Sequence, residues 1–215
     1  VNGCSITDTA IIDSGTNPIL DVTVQDVSCF GANDGMMITS ATSGTPSYSF
    51  TDDGGATFVP DGTPFGPTGQ ASYFITVVDA EGCTDSDSVF VNEPDELFIS
   101  SLTVQNVLCY DSANGQITVN TVGGTGSYSY LWNNGQISNP AVNLMPSTYN
   151  VVVTDSMGCF VTSSNQNITQ PDSLSITSIA TTNVSCNGGN DGSAVVNVTG
   201  GTQTYNYGWS GGSDV

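Results

Sequence analysis

The phrase VSCFGANDG, residues 27–35, returns as VLCYDSANG at residues 107–115 and as VSCNGGNDG at residues 184–192. Aligned on its cysteine, each copy has a glycine six residues later, a Gly-Thr pair fifteen residues later and a tyrosine nineteen residues later. The cysteines are Cys29, Cys109 and Cys186, and the tyrosines are Tyr48, Tyr128 and Tyr205. A fixed period of this length predicts tandem copies of one structural unit.

A second phrase closes each unit, as VVDAEGC ending at Cys83 and as VVTDSMGC ending at Cys159. VNGC, which ends at Cys4, reads as the close of a preceding copy. We therefore expect a tail of a preceding repeat at residues 1–18, repeats at 19–94 and 95–171, and the start of a further, truncated repeat at 172–215. NEPDE at residues 92–96 and TQPDS at residues 169–173 are typical of short linkers that proline stiffens.

Strand patterns fill each copy. LDVTVQDVSC, residues 20–29, alternates apolar and polar residues as a half-buried strand does, and Asn, Asp and Gly punctuate the strands at turns. No amphipathic helical segment is present. Short strands with frequent turns favour an all-β fold of tandem immunoglobulin-like β-sandwich repeats, each of about 75–80 residues.

The repeated glycine of the first phrase is expected to turn the chain. Because Asn-Asp-Gly sequences tolerate positive φ, we predict that Gly35, Gly115 and Gly192 lie at φ > 0.

An aromatic stripe follows the Gly-Thr pair. Tyr128, Tyr130 and Trp132 alternate along one predicted strand, so that they share a face. We expect these rings to fill the core, because aromatic side chains contribute large burial in small sandwiches. A sugar-binding platform is the alternative interpretation.

The composition excludes several classes of function. The chain has 215 residues, 20 acidic side chains and no Lys, Arg or His, which gives a net charge of −20. Nucleic-acid binding and attachment to anionic membranes both depend on basic side chains, so neither is expected. No apolar run is long enough to cross a membrane as a helix. Without His or Lys there is no histidine-based nucleophile activation and no Schiff base, and we predict that the protein is not an enzyme.

The phrases Cys-x5-Gly, Gly-Gly-Thr-x-Ser/Thr-Tyr-x-Tyr-x-Trp and Thr-Asp-x-x-Gly-Cys resemble the SprB-type repeat of giant gliding-motility adhesins exported by type IX secretion. Residues 95–171 match over their whole length, whereas the first copy has Asp52 where the Trp stands and carries an insertion after it. The resemblance implies a secreted, extracellular filament at the cell surface that serves adhesion or gliding motility. We expect the segment to be a structural and adhesive stalk, with a carbohydrate- or calcium-binding surface module as the alternative.

Six cysteines, two in each complete repeat, suggest disulfide bonds and an oxidising compartment. Four predicted strands separate Cys109 from Cys159, and an even number returns the chain to the same end of a sandwich. We therefore favour bridges Cys29–Cys83 and Cys109–Cys159. The rival pairing crosses each repeat boundary and joins Cys4 to Cys29, Cys83 to Cys109 and Cys159 to Cys186.

The resemblance also implies O-glycosylation at Asp-Ser/Thr followed by an apolar residue. The candidate acceptors are Thr9, Ser88, Ser112, Ser156 and Ser173, and this makes the chain a candidate glycoprotein. Thr9 and Ser88 each follow a closing cysteine by five residues.

No cofactor or metal site is expected. Ca²⁺ is the alternative, and the densest acidic groups that could bind it are Asp52-Asp53, Asp61 and the pair Asp85 and Asp87. No known calcium-loop pattern is present, so a solvated surface is the favoured interpretation. The expected partners are neighbouring repeats of the same chain, with surface polysaccharide or other filaments as further candidates. The lack of basic residues removes cleavage sites of Lys- and Arg-directed proteases and makes like filaments repel.

Overall fold

The computed structural model describes residues 15–210, and the predicted tail, with Cys4 and Thr9, lies mostly outside this range. The described residues contain 17 strands and no helix, and every strand pairing among them is antiparallel. They divide into two compact units, and the boundary in the sequence lies between Asp95 and Glu96. The all-β fold of sandwich repeats is therefore confirmed.

The first unit is a sandwich of two sheets. Its strands are β1 (Ile19–Gln25), β2 (Gly35–Thr42), β3 (Ser49–Thr51), β4 (Val59–Pro60), β5 (Phe65–Thr68), β6 (Ala71–Val78) and β7 (Thr84–Val91). One sheet has the order β1-β2-β5 and the other has the order β4-β3-β6-β7. Met37, Phe50 and Ile75, from both sheets, are fully buried in one shared core.

The second unit repeats this plan and continues into the third copy. Its strands are β8 (Phe98–Gln105), β9 (Gly115–Val122), β10 (Ser129–Trp132), β11 (Ala141–Leu144), β12 (Ser147–Tyr149), β13 (Val151–Thr154), β14 (Phe160–Thr162), β15 (Gln166–Ile168), β16 (Ser175–Thr182) and β17 (Ser193–Thr199). The sheets of its sandwich are β11-β9-β8, β10-β13-β14 and β12-β15. β16 and β17 form a separate two-stranded ribbon, whose apolar side chains Ile176 and Ile179 are more than half exposed.

The two sandwiches fill equivalent core space with different residues. Trp132 is buried in the second copy, where Ala141 on β11 lies opposite Ile117. In the first copy the Trp position is Asp52, and Phe65 on β5 lies opposite Met37 in the equivalent register. The first copy thus has a large buried ring, Phe65 from the insertion, where the second copy has Ala141, and it lacks the large ring of Trp132. A paired loss and gain of this kind is what a densely packed core tolerates best.

Each copy has two ends, which we define by the direction of the chain. β1 and β8 start at the end where the linker arrives, here called the incoming end, and finish at the opposite, outgoing end. β2 and β9 return to the incoming end, because they pair antiparallel with β1 and β8. An eight-residue strand spans about 23 Å between the two ends.

Candidate functional site: the linker grips at the two ends of each repeat

The opening phrase forms the cysteine loop at the outgoing end. In all three copies the side chain one residue before the repeated glycine accepts a hydrogen bond from the backbone N–H of the residue before the cysteine. The pairs are Asp34 with Ser28 (3.0 Å), Asn114 with Leu108 (3.2 Å) and Asp191 with Ser185 (3.0 Å). The repeated Asn or Asp is thus an internal brace of this loop.

The cysteine loop also holds the linker that leaves the repeat. The N–H of Val27 donates to the carbonyl of Asn92 (2.9 Å), the N–H of Asn92 donates to Asp26 (2.9 Å), and the N–H of Gly31 donates to Glu93 (2.9 Å).

The second copy repeats all three hydrogen bonds. Val107 donates to the carbonyl of Thr169 (3.2 Å), Thr169 donates to Asn106 (2.9 Å), and Asp111 donates to Gln170 (2.9 Å). We call this set the outgoing grip.

A buried carboxylate organises the incoming end. Asp155 accepts hydrogen bonds from the backbone N–H groups of Thr125 (2.8 Å), Met157 (2.9 Å) and Cys159 (2.9 Å). In the first copy Asp79 accepts from the N–H groups of Thr45 (2.9 Å), Glu81 (3.0 Å) and Cys83 (2.8 Å). One carboxylate thus ties the Gly-Thr loop to the turn that carries the closing cysteine.

These hydrogen bonds favour the ionised carboxylates. The N–H of Thr45 is the main cause that lowers the pKa of Asp79 below its ordinary value. For Asp155, burial alone would raise the pKa, but the hydrogen bonds from Thr125, Cys159 and Met157 outweigh burial and lower the pKa. Both carboxylates are about 6% exposed, and neither is a surface charge open to a ligand.

The glycines before the repeated threonine hold the arriving linker. Gly123 has a φ of 76°, and a Cβ at this position would overlap the carbonyl oxygen of Glu96. Gly200 approaches the carbonyl of Ser173 in the same way, and the N–H of Gly201 donates to the carbonyl of Asp172 (2.7 Å). We call this contact the incoming grip, and only glycine leaves room for it.

The repeated tyrosine closes the same loop. Its hydroxyl donates to the backbone carbonyl five residues earlier in every copy: Tyr48 to Ser43 (2.5 Å), Tyr128 to Gly123 (2.7 Å) and Tyr205 to Gly200 (2.6 Å). In the second copy the aromatic stripe therefore serves packing and the loop rather than an exposed platform. Trp132 is buried with its Nε1 donating to the carbonyl of Ser138 (2.9 Å), and Tyr128 and Tyr130 pack against the core.

The prediction of positive φ at the first-phrase glycine is wrong. Gly35, Gly115 and Gly192 are absent from the described residues with positive φ, and Gly35 and Gly115 begin strands. The requirement for glycine is steric instead. A Cβ on Gly35 would lie 2.8 Å from Cγ1 of Val91, and a Cβ on Gly115 would lie 2.9 Å from Cγ2 of Ile168. The last core strand of the repeat packs directly onto this glycine.

The predicted bridges Cys29–Cys83 and Cys109–Cys159 are not formed. A disulfide is present, since Cys29 and Cys159 are disulfide-bonded, but Cys83, Cys109 and Cys186 are free thiols. The reason is the direction of the strands, because β10 and β11 both run towards the outgoing end, as their antiparallel pairing with β13 and β9 requires. β9 and the continuous run of β12 and β13, which only Asn150 interrupts, lead towards the incoming end, so the chain leaves Cys109 at one end and reaches Cys159 at the other.

The contacts of each cysteine show the same separation. Cys109 lies in the loop of the outgoing grip, whereas the Cys159 carbonyl accepts from the N–H of Asp155 (2.9 Å) at the incoming end. Cys29 and Cys83 are separated in the same way within the first copy. Bridged Cα atoms lie only about 6 Å apart, far less than the length of a sandwich. The rival bridge Cys83–Cys109 is not formed either, since both thiols are free.

The candidate glycosylation acceptors differ in accessibility. Ser88 on β7 and Ser173 in the second linker are exposed, and Ser112 is half-buried. Ser156 is exposed, but its hydroxyl donates to the carbonyl of Thr125 (2.7 Å), and Thr9 lies outside the described residues. Glycosylation at these positions stays a prediction.

The acidic groups singled out for calcium either accept hydrogen bonds from the protein itself or lie exposed at the surface. Asp53 accepts hydrogen bonds from Thr51 and Thr57 within its own loop, and these lower its pKa. Asp85 accepts from the N–H of Leu20 on β1 (2.9 Å). Asp52, Asp61 and Asp87 are exposed. Within residues 15–210 no three Cys, Asp or Glu side chains form a group that could hold a metal ion. In the same range there is no helix long and apolar enough to span a bilayer.

Sequence reasoning did not single out Asp79, Asp155, Asp26 or Asn106 as site residues. A signal existed for each of them. Asp79 and Asp155 both precede a closing cysteine by four residues, and Asp26 and Asn106 both precede an opening cysteine by three. A constant offset of a hydrogen-bonding residue from a repeated cysteine indicates a shared structural contact.

The fold and its grips define an all-β repeat protein whose recurring motif residues hold the linker residues at the two ends of a copy. The profile of the SprB repeat family matches three segments, residues 22–57, 101–137 and 178–214, which together cover half of the chain. No curated protein matches the sequence. The chain therefore belongs to the SprB repeat family, a structural repeat of cell-surface adhesins, and the resemblance read from the motifs is confirmed.

Proposed function

We propose that this chain is a structural stalk segment of an extracellular filament that serves adhesion or gliding motility at the cell surface. The proposal rests on the linker between the first and second copies, which is held at its start by an outgoing grip and at its end by an incoming grip. Glu93 belongs to the outgoing grip of the first copy, and Glu96 already contacts the incoming grip of the second. Only Pro94 and Asp95 separate these two residues. A linker this short, with proline in it, has little freedom to extend under load.

The charge of the chain supports the same function. A net charge of −20 with no basic residue gives every repeat the same sign, so neighbouring filaments repel and stay dispersed. Stalks that project from a crowded surface need this property, whereas an acidic surface by itself selects no ligand.

Single-molecule pulling of the 215-residue chain through terminal tags tests the stalk. We expect discrete unfolding events for the two sandwiches and a lower unfolding force for Asn106→Ala, which removes the acceptor of the Thr169 N–H. Asn187→Ala, at an exposed position in the cysteine loop of the third copy, is the matched control and should leave the force unchanged. Equal forces for all three proteins would contradict a mechanical role of the outgoing grip.

Thermal melting with and without ligand distinguishes the stalk from the alternative function, a carbohydrate- or calcium-binding surface module. A ligand that binds only the folded protein raises the melting temperature by mass action. A stalk should melt at the same temperature with Ca²⁺, with EDTA or with added polysaccharide. A rise with Ca²⁺ that EDTA reverses would favour the binding module.

Adhesion is tested separately, by the retention of coated beads under flow. Beads coated with the 215-residue chain should be retained on polysaccharide-coated glass under flow more strongly than beads coated with albumin. Equal retention would limit the segment to a spacer and leave adhesion to other parts of the filament.

A further inference from the structure

The third copy has an apolar face that its own described residues leave open. β16 and β17 pair as β8 and β9 do in the second copy, but none of their side chains is buried. Trp209 is 39% exposed, whereas Trp132, at the same offset from the opening cysteine of the second copy, is 2% exposed. An open cleft of about 470 Å³ on this face is lined by Leu174, Ile176, Ile179, Val196, Val198 and Trp209. A contiguous apolar surface of this kind marks an interaction site.

The outgoing grip of the third copy is also unfilled. By their offsets from the opening cysteine, its three residues are Asn183, Val184 and Gly188. In the first two copies the same positions bind the linker that follows the last core strand. In the third copy no described residue accepts from the N–H of Val184 or Gly188, and none donates to the side chain of Asn183. The grip thus has its hydrogen-bonding groups in place without a linker on them.

The repeated glycine of the third copy lacks the side chain that packs on it in a complete copy. A Cβ on Gly115 would lie 2.9 Å from Ile168, on the last core strand of the second copy. The three atoms nearest to a Cβ on Gly192 belong instead to Val184 and Thr182, which precede it in the same copy. We call the open cleft, the unfilled grip and this glycine together the receiving site. Its shape and chemistry suit one apolar strand followed by a linker.

A segment with this pattern stands at residues 4–14, which we call the closing segment and which lies outside the described residues. Counted from its cysteine, Ala10 and Ile12 hold the offsets at which β7 has Val89 and Val91. On β7 these two valines face the core of the first copy, where Val91 is fully buried. The closing segment therefore has the sequence of a last core strand.

We propose that the receiving site of one chain binds the closing segment of a second copy of this chain. Ile12 packs over Gly192 and into the apolar cleft, and the residues that follow Ile12 fill the outgoing grip. The junction between two chains then uses the same contacts as a linker leaving a complete copy. Because the interface is heterologous, every oligomer keeps one free closing segment and one free receiving site, and growth continues beyond the dimer.

The charge of the chain restricts association to this end-to-end contact. With a net charge of −20 and no basic residue, two chains cannot form a side-chain ion pair, and their sides repel. Apolar contacts and backbone hydrogen bonds are what remains to hold them together. Added salt screens the repulsion, so it should strengthen the association.

Sedimentation velocity of the 215-residue chain tests the proposal. The measurement is made at about pH 5, where thiols stay protonated and disulfide exchange is slow. We expect the weight-average mass to rise with protein concentration beyond that of a dimer, and to rise further when salt is added. The mass of a single chain at every concentration would overturn the proposal.

Substitutions on both sides of the interface identify the two partners. Ile12→Asp and Val196→Asp should each raise the Kd of association by about tenfold or more, because a charge replaces an apolar side chain in the contact. Thr9→Asp and Val195→Asp are the matched controls. Each adds the same charge on the opposite face of the same strand, by the alternation of side chains, and should associate like the wild type.

A mixture of the two weakened variants gives the sharpest test. Ile12→Asp keeps an intact receiving site and Val196→Asp keeps an intact closing segment, so together they should form dimers and nothing larger. A mixture that stays monomeric would contradict the proposal. If Ile12→Asp alone associates like the wild type, the receiving site has another occupant, such as the ribbon of a second chain, and the proposal is wrong. Ile12 precedes all the described strands, so this last result does not depend on whether Val196→Asp folds.

Discussion

The carboxylate of Asp155 accepts a hydrogen bond from the backbone N–H of Thr125, thirty residues earlier in the chain, at 2.8 Å. The contact joins the two phrases of the repeat, Gly-Thr and Asp-x-x-Gly-Cys, at the incoming end. Asp79 and Thr45 make the same contact in the first copy at 2.9 Å. The constant spacing of the two phrases therefore places the same carboxylate beside the same loop in each complete copy.

Acid should weaken the incoming end. The folded pKa values of Asp79 and Asp155 lie below their ordinary values, so the unfolded chain binds protons first. The stabilisation is complete above the ordinary carboxyl pKa near 4 and is lost as pH falls through the lower folded values. Asp155→Asn should lower the melting temperature at pH 7 and reduce the fall in melting temperature between pH 5 and pH 2.

Asp172→Asn, at an exposed linker position, is the matched control for this experiment. It should keep the wild-type melting temperature and its pH dependence. If Asp155→Asn titrated like wild type, Asp155 would not hold the loop through its charge.

Glycine at position 123 should be required for space as well as for conformation. Gly123→Ala places a Cβ against the carbonyl of Glu96, whereas Gly135→Ala, at a φ of 85°, meets nothing within 4 Å. The backbone strain common to both variants costs about 1 kcal/mol. Overpacking should bring the total for Gly123→Ala to about 3 kcal/mol. Denaturant unfolding, followed by the fluorescence of buried Trp132, measures the free energy of unfolding of both variants. If both variants lost the same amount of stability, the close contact of Gly123 in the incoming grip would be refuted.

One buried hydroxyl offers a stabilising substitution. Thr39 is fully buried and its Oγ1 has no hydrogen-bond partner among the described residues, while Val119 holds the equivalent position in the second copy. Thr39→Val should stabilise the first sandwich by about 1 kcal/mol, because a buried unpaired hydroxyl is replaced by a methyl group of the same shape.

The reciprocal variant Val119→Thr should destabilise the second sandwich by a similar amount. Hydrogen exchange of the β2 and β9 amides reports the two copies separately. A loss of protection in β2 of Thr39→Val would show that the hydroxyl has a partner in solution.

The tyrosine hydroxyl at the incoming end should contribute one hydrogen bond of ordinary strength. Tyr128→Phe removes the donor to the Gly123 carbonyl and should cost about 1 kcal/mol. Tyr110→Phe, at an exposed position, should cost nothing measurable. A neutral Tyr128→Phe would mean that the ring contributes by packing alone.

Much of the architecture could be predicted from local signals. The alternation in residues 20–29 predicts β1, and the spacing of the aromatic residues predicts a buried stripe that ends at Trp132. The conformation of the glycine in the first phrase could not be predicted in this way. An Asn-Asp-Gly turn normally indicates positive φ at glycine, but Gly35 and Gly115 are extended residues kept small by Val91 and Ile168. Both neighbours lie more than fifty residues away in the chain, so the local sequence does not predict that they pack against these glycines.

By itself, the sequence of this protein determined the all-β class, the repeat period and the family, because strand alternation, turn residues and motif spacing are local properties of the chain. Only the tertiary structure decided which motif residues meet. The carboxylates of Asp79 and Asp155, the linker contacts of Gly123 and the separation of Cys109 from Cys159 all depend on the direction in which each strand crosses the sandwich. Two successive strands that run the same way, as β10 and β11 do, exchange the ends that the chain reaches, so a contact at one end is a property of the whole topology.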